Sequence, residues 1–167
     1  AAEIVNDYSK EELASIFRRF GEEAFSREVA EAIVLARKLK PIETTKELVE
    51  IILQVYRTKL HTDKEVPRLG NIHPATKIIQ ALRIEVNHEL DVIKNVLPQA
   101  VEALAPGGRL AVITFHSLED RIVKQYFKSI ENKTGRLVNK KPIIASDEEL
   151  KNNPRARSAK LRVVEKL

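Results

Sequence analysis

The chain of 167 residues contains no cysteine, no methionine and no tryptophan, and it has only five glycines. Without cysteine there can be no disulfide, thiolate nucleophile or thiolate-bound metal, and the composition suits a reducing compartment such as the cytoplasm. The lack of methionine leaves no initiator, so a piece or processed form of a longer protein is expected. No apolar run approaches the roughly 20 residues of a membrane-spanning helix, and the first residues do not follow the basic-then-apolar pattern of a signal segment. A membrane partner is therefore not expected. Neither phosphate-binding glycine pattern, G-x-G-x-x-G or G-x-x-x-x-G-K-S/T, occurs. The four histidines (His61, His73, His88 and His116) show no metal-ligand spacing, and no metal is expected.

What the chain does have is 43% hydrophobic and 32% charged residues, the balance of a globular domain. Its net charge of +5 is unevenly placed. Residues 105–167 hold fourteen Lys and Arg against seven Asp and Glu, whereas residues 1–104 hold fifteen against seventeen. Such a basic section fits a polyanion partner or, equally, an ordinary basic surface.

Hydrophobic spacing predicts three amphipathic helices within residues 1–56. Ser9 with Glu12 and Thr44 with Glu47 form capping boxes before two of them, and a helix from about Glu23 to Leu39 lies between. Residues 57–72 lack periodicity and read as a mobile loop or linker. A long helix is expected from Pro74 through Leu97, followed by a short piece from Pro98 to Leu104. Pro106-Gly107-Gly108 then turns into the apolar run Arg109–Phe115, which reads as a strand covered on both faces. A helix capped by Ser117 follows. Two strand candidates, 137–145 and 159–167, flank a Ser146-capped turn and a loop over 152–158. From residue 74 the order is helix, strand, helix, strand, strand, which is half of an α/β sheet.

In open α/β sheets ligands bind beyond the carboxyl ends of the strands. That places His116, Ser117, Asp120 and Arg121 where substrate contact is expected. A purely structural reading also exists, in which Ser117 and Asp120 cap a helix. A hydrolase triad is not supported, because no G-x-S-x-G elbow surrounds Ser117. Arg155, Arg157 and Lys160 suit phosphate contacts, since guanidinium groups match phosphate geometry. The alternative is a solvated loop, or Arg157 paired with a carboxylate of the sheet. His73 and Lys77 stand at a helix N-terminus that could meet a phosphate, with Gln80, Arg83, Asn87 and Glu89 on the polar face. The bland alternative there is a helix with an ordinary wet side.

Three long segments carry a family resemblance. They are His73-Pro74-Ala75-Thr76…Gln80-Ala81-Leu82-Arg83-Ile84…Val86-Asn87…Glu89-Leu90, Pro106-Gly107-Gly108-Arg109…Phe115-His116-Ser117-Leu118-Glu119-Asp120-Arg121-Ile122-Val123-Lys124, and Asn153-Pro154-Arg155-Ala156-Arg157-Ser158-Ala159-Lys160-Leu161-Arg162. With Gly21-Glu22-Glu23…Phe25…Arg27 and Pro41…Thr44-Thr45…Leu48, they closely resemble the bacterial 16S ribosomal RNA cytosine-N4 methyltransferases of the MraW type. The departures are local. The family usually has arginine and an aromatic where Lys77 and Ile79 stand, an aromatic at Glu85, often an acid at His88, and serine at Thr114.

The resemblance implies an α/β fold. Residues 73–167 would form the C-terminal half of a Rossmann-like, S-adenosylmethionine-dependent methyltransferase domain, and residues 1–72 an all-α inserted subdomain that helps recognise substrate. It implies N4-methylation of a cytidine in small-subunit ribosomal RNA, with the RNA or the small ribosomal subunit as partner. His73, Lys77, Arg83, Arg155, Arg157 and Lys160 are the expected RNA contacts. His116, Ser117 and Asp120 are the catalytic candidates. The cofactor loop and the acids that hold the ribose are expected in a missing N-terminal half, so this piece alone is expected to be inactive and to associate, as a homodimer for example. The competing reading is a non-enzymatic RNA-binding or scaffold protein that keeps this half of the fold.

Overall fold

Both capping boxes form as the sequence requires. In the computed structural model, which describes residues 1–62, 66 and 73–167, the Ser9 side chain accepts from the Glu12 amide while the Glu12 carboxylate accepts from the Ser9 amide, opening α2 (Lys10–Gly21). Thr44 and Glu47 do the same for α4 (Thr45–Leu60). Between them runs α3 (Ser26–Leu39), and a short α1 (Ala2–Asp7), which periodicity had not suggested, precedes α2. The apolar stripes of these helices meet in one core built on Leu13, Phe17, Val29, Ile33 and Ile52. Because α4 continues to Leu60, the loop expected over 57–72 starts later, and most of it lies outside the described residues.

The expected long helix is two. It runs as α5 (Ala75–Asn87), breaks at His88, and restarts as α6 (Glu89–Glu102). His88 adopts the left-handed conformation (φ 50°), which ends a helix where glycine would be the ordinary choice. Pro98, expected to start a separate piece, sits inside α6. The break coincides with the division of the chain into two compact units, Ala1–His88 and Glu89–Leu167. Packing therefore groups α5 with the helices before it. Gly21 explains the grouping. A Cβ there would lie 2.7 Å from the Lys77 carbonyl oxygen, so only glycine lets α2 approach the backbone of α5 this closely. Lys77 Nζ donates to the Glu22 carbonyl and the Gln80 amide nitrogen to the Phe20 carbonyl, satisfying acceptors left over at the end of α2. Gly21→Ala is accordingly expected to cost about 1–3 kcal/mol in urea unfolding, as overpacking does. An unchanged midpoint would show that α5 simply slides aside.

The second unit is a small sheet with α6 and α7 (Ser117–Ile130) packed together beside it. Pro106 and Gly107 are the central residues of a turn closed by a 2.8 Å bond from the Gly108 amide to the Ala105 carbonyl. Gly107 takes φ 79°, the value that a type II turn reserves for glycine. The turn delivers β1 (Arg109–Thr114), which pairs with β4 (Lys160–Lys166). On the other edge of β4 lie β2 (Gly135–Leu137) and β3 (Ile143–Ile144). Every pairing of β4 with these strands is antiparallel, so β1 and β2 run in the same direction with β4 between them. The strand expected over 137–145 is thus two short ones, and the loop expected over 152–158 is the end of α8 (Asp147–Asn152) followed by a 3₁₀ turn, Pro154–Ser158.

β1 is not covered on both faces, contrary to its continuous apolar run. Leu110 and Val112 join Val164, Leu97, Val101, Val123 and Phe127 in the core, whereas Ala111 and Ile113 face outward. The alternate-residue geometry of a strand gives this outcome once helices pack on one side only. The chain is a mixed α/β protein. Among the described residues, no helix is long and apolar enough to cross a membrane.

Candidate functional site

The turn from β1 into α7 brings the sequence-predicted residues His116, Ser117 and Asp120 to one helix end. The cap there is His116, not Ser117. His116 has extended backbone (φ −142°, ψ 167°), and its Nδ1 accepts from the Glu119 amide at 3.3 Å. Glu119 Oε2 in turn accepts from the amides of Phe115 (2.8 Å) and His116 (3.2 Å). Glutamate at the third helical position reaches back in this way because the first amides of a helix have no partner inside it. Ser117, one residue into the helix, is solvent-exposed.

This cap decides the chemistry of His116. A neutral imidazole has one ring lone pair, and here the Glu119 amide takes it at Nδ1. The proton therefore sits on Nε2, which lies 3.4 Å from Glu119 Oε1. The Glu89 carboxylate is drawn to the same place, so that ligand-type atoms of Glu89, His116 and Glu119 lie within 4.8 Å of one another. Such a trio could suggest a cation site. An Nε2 that carries the proton offers no lone pair, however, and so serves neither as a metal ligand nor as a general base.

Asp120 is engaged still more firmly. Its Oδ1 accepts from Arg162 Nε at 2.7 Å and its Oδ2 from Arg162 Nη2 at 3.0 Å, with both side chains buried. The Arg162 guanidinium, more than any other group, holds the Asp120 carboxyl below its ordinary range. Lys160 Nζ stands 3.8 Å from Asp120 Oδ2. Asp120 is thus the partner of a strand arginine and not part of a capping pair. Sequence reasoning missed Arg162. Its signal was parity, because Arg162 stands two residues from Val164 on the inward face of β4 and its side chain is accordingly buried.

The 3₁₀ turn sets Arg155 and Arg157 outward on either side of the buried Ala156, which pins the turn. Glu165, a carboxylate of the sheet, is taken by Arg109 and Arg136 at 2.9 and 2.6 Å, and their hydrogen bonds hold it below its ordinary range. The remaining candidates belong to the helical unit. Lys77 is occupied by the Glu22 carbonyl. His73 Nδ1 accepts from the Ala75 amide at 3.1 Å, and Arg83 is exposed on α5 with an interaction of its own. The candidates therefore divide between two units, with six residues in the second and three in the first.

A methyl-donor nucleoside needs a free carboxylate for its ribose and a close backbone approach for its charged tail. In the second unit Glu119 is closed on amides, Asp120 on Arg162, and Glu165 on two arginines. Gly107 lies in a turn whose amide is bonded to the Lys166 carbonyl. These residues do not fit such a group.

The family model described as the MraW methylase family matches residues 1–167. A protein of Persephonella marina named ribosomal RNA small subunit methyltransferase H is 49% identical over 168 residues, which is all of this chain and 55% of that protein. Proteins of the same name from Coprothermobacter proteolyticus (49% identity, 99% of this chain, 52% of that protein) and Fusobacterium nucleatum (45%, 100% and 55%) are similar to it as well. The chain spans about half the length of the curated relatives it matches.

Proposed function

The chain belongs to the MraW methylase family, and from that premise we propose that it is the RNA-binding, substrate-facing part of an S-adenosylmethionine-dependent methyltransferase acting on a cytidine N4 of small-subunit ribosomal RNA. The whole-chain family match carries this reading. The excess of basic residues after residue 104 supports it, as do the outward-set Arg155 and Arg157. In the proposed arrangement, residues 73–167 serve the catalytic domain and the helices before them serve substrate recognition. Arg155, Arg157 and Lys160 hold RNA phosphates. The Phe115–Asp120 turn borders the flipped base, for which His116 and Ser117 supply the wall.

Cytosine N4 is a weak nucleophile, and in-line transfer to it depends on position. The base must also be unstacked, which single-stranded RNA allows most easily. His116, with its one lone pair on the Glu119 amide, orients and does not accept the amine proton. The cofactor is proposed to bind to residues beyond this chain, since the carboxylates at the β1–α7 turn, Glu119 and Asp120, and that of Glu165 in β4 are already engaged. The half-length coverage also favours a second outcome, RNA binding without catalysis by the chain alone.

Titration of this chain with a single-stranded RNA oligonucleotide, and separately with S-adenosylmethionine, tests both parts. RNA is expected to bind, and Arg155→Ala with Arg157→Ala to weaken it about tenfold while lowering the salt slope by roughly 1.4, or ~0.7 per lost phosphate contact. The cofactor alone is expected to give no heat. Unchanged RNA affinity in the double variant removes the two arginines from the proposal, and tight cofactor binding moves the cofactor site into this chain.

A further inference from the structure

The bidentate contact between Asp120 and Arg162 joins the first turn of α7 to the central strand β4 across 42 positions of sequence. Both residues are buried, at 8% and 7% exposure. A buried ion pair is a poor way to hold two elements together, because desolvation offsets its attraction and an apolar pair of similar volume does as well or better. What it supplies is direction. Two parallel N–H···O bonds fix the distance and the rotation of the helix end relative to the strand.

Two groups of the proposed site depend on that placement. Asp120 directly follows Glu119, whose carboxylate gathers the Phe115 and His116 amides. Lys160, on the same face of β4 as Arg162, is 3.8 Å from the oxygen that Arg162 Nη2 engages. Arg162 takes both short hydrogen bonds of the Asp120 carboxylate, so the Lys160 ammonium is held by the same acid through the longer 3.8 Å ion-pair contact alone.

We infer that Arg162 and Asp120 are positioning residues, which hold the His116–Glu119 turn and the Lys160 ammonium in a fixed mutual geometry for RNA. This rests on the methyltransferase reading for its consequence, but not for its geometry. Neither residue touches the base.

The test replaces the pair by one of similar size and no charge, Asp120→Leu with Arg162→Met, and compares it with Arg162→Lys, which keeps the charge but loses the fork. In this chain, amide hydrogen exchange is read at Phe115, His116 and Glu119. In a chimera carrying this chain in place of the matching segment of the Persephonella marina relative, kcat and KM are read with small-subunit RNA. The apolar pair is expected to melt at or above the temperature of the unchanged chain. Exchange at the three amides should rise about tenfold, and kcat should fall roughly 10- to 100-fold with KM within about threefold, because misplacement of ~1 Å costs on that order. Arg162→Lys is expected to fall between. Unaltered exchange and kcat in the apolar pair would overturn the inference and leave the ion pair a packing element. If the apolar pair does not fold, Arg162→Lys decides by the same readouts. If the unsubstituted chimera transfers no methyl group, the methyltransferase reading fails, and amide exchange still decides the positioning role.

Discussion

Replacing Arg162 with methionine while leaving Asp120 in place is expected to destabilise the second unit by about 3–5 kcal/mol, the cost of stranding one member of a buried ion pair. The 2.7 and 3.0 Å bonds disappear, and the carboxylate is left with the Lys160 ion pair at 3.8 Å and the more distant charge of Lys124. If Lys160 swings in, the loss falls toward the lower figure, and adding Lys160→Met restores the higher one. The pH dependence has a definite sign. In the unchanged chain Asp120 titrates below its ordinary range, so the folded state binds its proton less readily than the unfolded state does. Its contribution is complete above the unfolded value of about 3.9 and is lost as pH falls from there through the folded value. In Arg162→Met the burial that remains favours the neutral acid, so the variant regains stability as pH falls toward ~3.9. The gap between the two proteins should therefore close on acidification. Urea midpoints followed by circular dichroism from pH 7 to pH 3 provide the check. A gap that stays constant with pH would mean that the methionine disrupts packing and strands no charge.

Phe17→Ala is the corresponding test of the helical unit and should cost about 3–5 kcal/mol as well. Phe17 has no exposed surface, and with Leu13, Val29, Ile33 and Ile52, all equally enclosed, it forms the middle of the core. Truncation removes a ring's worth of contacts and leaves a cavity that close-packed neighbours can fill only in part. A domain of this size has roughly 5–15 kcal/mol in total, so the variant loses a large fraction of it. Far-ultraviolet circular dichroism is the suitable probe, since the chain has no tryptophan. Phe17→Leu, which retains most of the volume, should lose less than half as much. Equal losses in the two variants would show that ring shape, and not cavity volume, determines the cost.

The elements most legible in the sequence were those with local causes. The capping boxes at Ser9 and Thr44 and the Pro-Gly-Gly turn formed as read, because each is satisfied within a few residues of itself. The break at His88 was not legible, since an uninterrupted apolar period runs from Ile78 to Leu97 and the left-handed residue is not a glycine. The one-sided burial of β1 was equally hidden, because Ala111 and Ile113 have the same apolar character as Leu110 and Val112 and only neighbours decide which face is covered. At the candidate site, the helix start after Phe115 was readable. That His116 caps it and Ser117 does not depends on which side chain has the backbone freedom to turn back.

The sequence by itself determined the family, through long motifs in fixed order, and the placement of positive charge after residue 104. These are properties of residue identity and need no coordinates. Only the tertiary structure decided that Asp120 belongs to Arg162 and that α5 packs with the helices before it. The physical reason is common to both. A side chain's role follows from which partner satisfies its hydrogen-bonding groups or its surface, and partners 42 positions apart, as Asp120 and Arg162 are, meet only when the chain has folded.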